Sequence, residues 1–369
     1  MDSMTMTTPP LATGQDSETV ISVENLRISF RTDEGLITPV DGVSFSAKRG
    51  KTLGIVGESG SGKSVSTRAL MKLLPRNAVI DPASRMLLCA GRSEPVDIAK
   101  LHPDSKEMRK IRGGSIAMIF QEPMASFSPV YTIGNQIVEA VRLHRQSANS
   151  PLAATETVGE QIEENLLGHG KMTKKHAHEI AVEMLHRVGM SNAGLRVNQF
   201  PHELSGGMRQ RAMIAVALST QPALLIADEP TTALDVTIQA QILELMKELQ
   251  DDLGMSIIFI THDMGVIAQV ADEVAVMYLG KIVERGPTRQ VIAHPHHPYT
   301  EGLLRAIPRM DNLTRRLTPV PGDIPSPLER PKGCPFVTRC PKRMAQCADV
   351  MPSDTDLGNG QSVACFLHG

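Results

Sequence analysis

The spacing of apolar residues changes along this chain, and each change predicts an element. From Ile21 to Phe30 apolar and polar residues alternate as on a half-buried strand, and Val40–Ala47 and Lys51–Val56 read as further strands punctuated by Gly50. Ser115–Phe120 is a short buried strand ending at Gln121. Thr132–His144, Lys174–Val188 and Gly206–Leu218 carry helix-compatible periodicity, and the segment from Arg145 to Met172, with Pro151 and several Ser, Gly and Asn residues, is expected to be partly loop. Leu224–Ala227 and Ser256–Thr261 are compact apolar strands separated by a helix over Ile238–Leu253 that Gly254 closes. Strand, helix, strand in that order calls for a parallel sheet. Residues 80–112 are polar and irregular and predict only a loose excursion from a strand.

The ends differ from the middle. Residues 1–20, rich in Ser, Thr, Pro and Met, show no apolar periodicity and are expected to be a disordered tail. Past Gly286 the composition shifts to Pro and His, then to a Pro-rich linker over Pro308–Pro331. The apolar runs Ala212–Leu218 and Ile257–Ile260 fall far short of the roughly 20 residues a membrane span needs. A soluble protein is expected, one that meets a membrane only through a partner. The 38 Lys and Arg against 40 Asp and Glu leave a charge of −2, which argues against a nucleic-acid partner. Cys89 stands alone, while Cys334, Cys340, Cys347 and Cys365 crowd the C-terminus; without a secretory signal, such a cluster reads as metal ligands before disulfides.

Two constellations carry chemistry. Gly57-Glu58-Ser59-Gly60-Ser61-Gly62-Lys63-Ser64 fits GxxxxGK[ST], follows a strand and opens a helix. Its glycines let backbone N–H groups curl round an anion, Lys63 offers a charge to the β and γ phosphates, and Ser64 a hydroxyl to Mg²⁺. Downstream, Leu224-Leu225-Ile226-Ala227-Asp228-Glu229 delivers two carboxylates at the end of a buried strand. They suit divided labour, Asp228 near Mg²⁺ and Glu229 polarising the attacking water. Leu204–Arg211, LSGGMRQR, adds a hydroxyl and two side-chain-free N–H groups at a helix N-terminus, a second anion site on a chain that already has one. That arrangement makes sense if the segment closes on a nucleotide held by another subunit.

With Gln121, Ala233-Leu234-Asp235 and His262, these motifs stand in the order found in ATP-binding subunits of ABC transporters, which the chain resembles from about Ile21 to its end. The resemblance implies an α/β fold: a P-loop NTPase (RecA-like) core with an N-terminal antiparallel β subdomain and a helical subdomain over about 122–218, together the nucleotide-binding domain 21–286. It implies that Gln121 ligates Mg²⁺ and senses the γ phosphate, that Ser205, Gly206 and Gly207 cap the γ phosphate of the opposite subunit, that Asp235 belongs to the loop crossing the dimer interface, and that His262 holds the attacking water. Phe30 is the candidate for stacking on adenine, though a Phe in an apolar strand is as readily core.

The C-terminal segments 294–308, 320–327 and 333–347 with 363–365 resemble the ATP subunits of oligopeptide, dipeptide and nickel importers. There, cysteines spaced as here, C-x5-C-x6-C-x17-C, are associated with a [4Fe–4S] cluster. Zinc, free thiols and disulfides stay open. The resemblance implies an ATPase at the cytoplasmic face of the inner membrane, peripheral to it. Its expected partners are a homologous ATPase subunit, usually in a heterodimer, two transmembrane permeases and an extracytoplasmic substrate-binding protein. The permease face is expected near Gln121–Tyr131. Peptides are the default cargo, with nickel, opines or sugars as alternatives. A DNA- or ribosome-associated ABC ATPase is disfavoured by the absence of sustained heptads between Lys63 and Ser205 and by a single nucleotide domain, and an exporter by the C-terminus.

Overall fold

In the computed structural model, residues 18–90, 94–122, 126–145, 174–232, 234–307 and 320–369 are described. Most of the expected tail, most of the loop read between Arg145 and Met172, Ala233 and the first half of the Pro-rich linker lie outside them. Two sheets organise the rest. The first is antiparallel: β1 (Thr19–Thr32) pairs with β2 (Gly35–Lys48), with β4 (Ala78–Ile80) and with β5 (Arg85–Leu88), and β5 carries β6 (Val96–Asp97). The segment expected to be a loose excursion therefore completes this sheet. Its strands are too short to show a period, and their order comes from Asp97, whose Oδ1 accepts from the N–H groups of Met86 at 3.1 Å and Ala99 at 3.1 Å. It also holds a helix over Lys106–Ile111 that Ser105 caps by accepting from the Met108 N–H.

The second sheet has the order β12-β13-β11-β10-β3-β9-β8-β7. β3 (Thr52–Val56), β9 (Ser256–Thr261), β8 (Leu224–Asp228), β7 (Ile116–Ile119) and β10 (Glu273–Tyr278) run parallel, as the strand-helix-strand order requires. β11 (Lys281–Pro287) then turns back antiparallel and pairs with the short β13 (Ser362–Val363), which pairs with β12 (Thr355–Asp356). Val56 pairs with Thr261 and Ala227 with Phe259. This register brings the C-terminal ends of β3, β8 and β9 level, so that whatever follows each strand emerges at one edge. The longer helices among the described residues are α1 (Lys63–Leu70), α2 (Ile133–Arg145), α3 (Lys174–Arg187), α4 (Gly206–Leu218), α5 (Val236–Leu253), α6 (Met264–Val270) and α7 (Pro298–Arg305). Ile133, Ile137 and Val141 on α2 pack with Ala181, Met184 and Leu185 on α3 and Ile214 on α4, a helical layer continuous with the sheet core. Burying each of the larger side chains contributes about 1.5–3 kcal/mol.

The C-terminal residues share that core. Tyr299 and Phe336 are fully buried and meet Tyr278 of β10 edge-on, at ring-centroid distances of 4.7 and 5.1 Å. The linker is tied down as well: Arg330 lies 3.2 Å from Asp41 of β2, which also holds Lys281 and Arg27. Burial would raise the Asp41 pKa, but these three cations outweigh it and hold the carboxyl below its usual value. Buried Glu284 of β11 accepts from the N–H groups of His296 and His297 and from the Gln361 amide, joining three segments of the C-terminal region.

His297 is the acid-sensitive point of this packing. Its Nδ1 accepts from the Tyr299 N–H at 3.1 Å, and burial, with His368 nearby, lowers its pKa from 6.5 to about 3. The folded protein keeps this ring neutral while the unfolded chain protonates it below 6.5, so stability is full above that pH and falls as pH drops from 6.5 towards 3. The slope contributed is up to about 1.4 kcal/mol per pH unit. His297→Asn, which retains an acceptor for the Tyr299 N–H, is expected to be less stable at neutral pH but to show a flatter stability profile between pH 6 and 4 in urea titrations.

Candidate nucleotide site

The level strand ends assemble the site. The loop 57–64 leaves β3 and closes into α1, and its shape depends on two glycines. A Cβ on Gly57 would stand 2.1 Å from the carbonyl oxygen of Met277, and one on Gly62, where φ is +98°, would stand 2.2 Å from that of Pro39. No other residue fits either contact. Lys63 is folded back into the loop, its Nζ donating to the carbonyls of Gly57 at 2.7 Å and Glu58 at 3.0 Å. Burial lowers the Lys63 pKa, although Glu229, Asp228 and Glu58 act against it.

Asp228, at the end of β8, is wholly inaccessible to water. Its Oδ1 accepts from Ser64 Oγ at 2.7 Å; its Oδ2 lies 3.5 Å from the Arg68 guanidinium and has no hydrogen bond. Burial raises the Asp228 pKa despite Ser64 and Arg68. A buried carboxylate oxygen without a hydrogen bond, beside a hydroxyl, is the hard oxygen donor set that suits Mg²⁺. Glu229, the next residue, takes a left-handed backbone at φ +49°, unusual for a non-glycine residue and a local strain. Its carboxylate gathers three side chains: Gln121 donates from Nε2 at 3.0 Å, Thr232 from Oγ1 at 2.9 Å, and His262 Nδ1 stands 3.5 Å away. Gln121 follows β7 and His262 follows β9. Four strand ends thus bring together Lys63, Ser64, Gln121, Asp228, Glu229 and His262.

The remaining candidates stand elsewhere. Ser205 caps α4, accepting from the Met208 N–H at 3.4 Å, and Ser205 and Gly206 are exposed while Gly207 is half-buried against Ile238. Asp235 caps α5 by accepting from the Ile238 N–H at 2.9 Å. Ser59 and Gly60 are exposed and Ser61 is buried in the loop. Phe30 is half-buried on β1, opposite Ile37 and Ala78, and packs against the antiparallel core, so one part of the ring serves the core and the rest is accessible.

Cys334, Cys340, Cys347 and Cys365 line one pocket with Phe336, Val337, Met344 and Phe366. None of the described cysteines is in a disulfide. Burial, with the neighbouring cysteines, pushes the Cys334 thiol up to about 11, and Cys340 and Cys365 are raised as well. Yet among the described residues no three His, Cys, Asp or Glu side chains are arranged to hold a metal ion. The four-thiolate expectation thus gains a common pocket and no metal geometry.

Sequence reasoning missed Arg68, Glu58, Tyr299 and Arg339. Arg68 could have been found, since it lies one helical turn beyond Ser64 and so on the same face. Glu58 binds Arg339 across 281 positions, and no local pattern reports such a pairing.

A glycine-formed phosphate loop, a buried carboxylate beside its hydroxyl and a second carboxylate at a parallel-sheet edge define a P-loop NTPase. Residues 40–232 match the ABC transporter family and residues 283–347 the oligopeptide/dipeptide transporter C-terminal region. Among curated proteins the chain is 47% identical, over 95% of both chains, to the dipeptide transport ATP-binding protein DppD of Bacillus subtilis. It is 44% identical to the oligopeptide transport ATP-binding protein AppD of the same organism, over 95% of this chain and 97% of that one. The chain belongs to the ABC transporter family and is one of its ATPases. The fold agrees with a dimeric bacterial ABC transporter cassette (TM-score 0.57, 24% identity, 73% of this chain and 99% of that one). It agrees also with cbiO1 from Clostridium perfringens (TM-score 0.56, 24% identity, 75% of this chain and 92% of that one). No helix among the described residues is long and apolar enough to cross a membrane.

The loop contacts give a direct test. Gly57→Ala forces the Met277 carbonyl to move and is expected to weaken ATP binding at least tenfold, measured by calorimetry. Gly60, with nothing within 4 Å of an added Cβ, should tolerate Ala at a stability cost of about 1–2 kcal/mol for its positive φ.

Proposed function

We propose that this chain is the ATP-hydrolysing motor subunit of a bacterial importer for dipeptides or oligopeptides. The observation that carries the catalytic part is the convergence of Gln121, Thr232 and His262 on the Glu229 carboxylate, beside the buried Asp228–Ser64 pair. The transport part is supported by the dipeptide and oligopeptide transport relatives and by the matching C-terminal region.

In this reading residues 57–64 cradle the phosphates of ATP and Lys63 turns from its own loop carbonyls to the β and γ oxygens. Ser64, Asp228 and Gln121 would hold Mg²⁺, which when bound would supply positive charge against the phosphates. Glu229 accepts the proton of the attacking water, with Gln121 and Thr232 fixing its carboxylate and His262 holding the water. Its strained backbone keeps it off the strand line of Asp228, so the two neighbouring acids serve different ligands. Ser205, Gly206 and Gly207, presented at the exposed start of α4, cap the γ phosphate bound to a second, homologous ATPase subunit in a heterodimer, and Asp235 lies at that interface. Phe30 offers the accessible part of its ring to adenine. Two permeases sit over exposed Val130 and Tyr131, close in sequence to the sensor Gln121, and a substrate-binding protein outside the membrane delivers the cargo. This chain works at the cytoplasmic face of the inner membrane, with residues 21–286 as the nucleotide-binding domain and 287–369 as its extension.

Glu229→Gln keeps the size and both hydrogen bonds but removes the base. It is expected to bind ATP normally, to accumulate as a closed dimer on size exclusion, and to lose turnover about 10²–10⁴-fold; uptake of labelled dipeptide by cells carrying it should fall in parallel. Normal turnover would remove Glu229 from this role. A [4Fe–4S] reading of the thiol pocket rests on the cysteine spacing and on the four cysteines sharing one pocket, not on a metal-holding arrangement of their side chains. Anaerobically purified protein is then expected to be brown, with about four irons per chain, and colourless, iron-free protein would end that reading.

A further inference from the structure

One contact between the C-terminal extension and the nucleotide site has no place in the mechanism above. Arg339 is buried, and its guanidinium forms a two-pronged ion pair with Glu58, the second residue of the phosphate loop, at 2.6 and 3.1 Å. The other donors are also engaged: Nε with the Pro321 carbonyl at 2.9 Å, Nη2 with that of Val320 at 3.1 Å, and Nη1 with Tyr278 Oη at 3.4 Å. The guanidinium also lies 5.7 Å from the centre of the Tyr278 ring. A second contact reaches the same loop residue, for the Glu58 N–H donates to Tyr299 Oη at 2.9 Å. Glu58 is therefore held at its backbone by α7 and at its side chain by the cysteine-bearing segment.

Electrostatics makes this pairing necessary. Glu58 places a negative charge inside a loop whose task is to gather a polyanion. Left uncompensated, that charge would repel the phosphates and compete for Lys63, whose Nζ already lies 3.0 Å from the Glu58 carbonyl. A bidentate guanidinium cancels the charge and fixes the carboxylate plane, which a lysine's single ammonium does less well. Burial alone would weaken the proton affinity of Arg339, but Glu58 and Tyr278 more than offset it and Arg339 stays charged.

We propose that the C-terminal extension clamps the phosphate loop, with Arg339 as a positioning residue that neutralises Glu58 and Tyr299 as the backbone anchor, so that the extension sets the affinity of the cassette for ATP. The inference rests on residues 57–64 being the phosphate loop.

The test is ATP affinity of the full-length chain by calorimetry, with thermal unfolding measured alongside. Arg339→Met is expected to weaken ATP binding about tenfold, within the range for coupled contacting residues. The charge-free pair Arg339→Met with Glu58→Gln should regain most of that loss, because the repelling carboxylate is gone. Tyr299→Phe keeps the buried ring and folds even if Arg339→Met does not; it should weaken binding about threefold at nearly unchanged melting temperature. In steady-state assays the loss should fall on KM and leave kcat within about twofold. Wild-type affinity in Arg339→Met and Tyr299→Phe overturns the clamp. A double variant no better than Arg339→Met overturns the electrostatic role. Lys63→Ala separates the two readings: it must abolish binding if 57–64 is the phosphate loop, and retained binding would sink that assignment rather than the clamp alone.

Discussion

The structure depends on one electrostatic constraint, the burial of the Asp228 carboxylate at the end of a central strand. Nothing in the apolar strand Leu224–Ala227 offers it a partner, and a charge there is costly without one. The fold supplies partial compensation from α1, a hydroxyl from Ser64 and a guanidinium from Arg68, and leaves one oxygen without a hydrogen bond. Parallel pairing of β8 with β9 and of β9 with β3 is what makes this possible, since it sets the ends of all three strands level. Loop 57–64 then faces the two acids, and Gln121 and His262 arrive from the flanking strands. A chain that met only a stability requirement would neutralise Asp228. Retaining a carboxyl whose pKa is raised by burial makes sense where a cation completes the site.

Much of this was legible in the sequence, for a physical reason. Loop 57–64, the strand ending in Asp228 and Glu229, and helix 206–218 are local: each is set by the backbone freedom of glycine or by an uninterrupted apolar run. Gln121 and His262 follow buried strands, and their meeting on Glu229 required only that the strands be parallel neighbours. The illegible parts were long-range or aperiodic. β5 and β6, four and two residues long, exist because β1 offers an edge and Asp97 organises the turn, which no window of residues 80–112 reports. Strand pairing of β13 with β11 and the Arg339–Glu58 pair join positions far apart in the chain.

The thiol pocket shows the same limit from the other side. Clustering of the cysteines suggests metal ligands and the family resemblance a [4Fe–4S] cluster, and the fold does bring the four cysteines to one apolar pocket. Burial raises the pKa of Cys334, Cys340 and Cys365, which favours the neutral thiol at those three positions. Only a bound cation, which favours thiolate, would reverse that state. The cysteines thus have the position for a shared ligand, while the side-chain arrangement of the described residues is not that of a metal site.

The C-terminal region is tied into the cassette by several different interactions. Phe336 and Tyr299 share the core with β10, Arg330 joins the charge cluster at Asp41, β13 extends the main sheet, and Arg339 reaches the phosphate loop. A region attached so broadly cannot shift without disturbing β10 and the loop beside it. Phe336 lines the thiol pocket and packs on Tyr278, whose hydroxyl in turn touches Arg339, the residue before Cys340. The path from pocket to loop is therefore a chain of packed rings and one buried ion pair. Such packing explains why the extension is built around the end of β10: that strand end is where the core, the phosphate loop and the thiol pocket can all be touched at once.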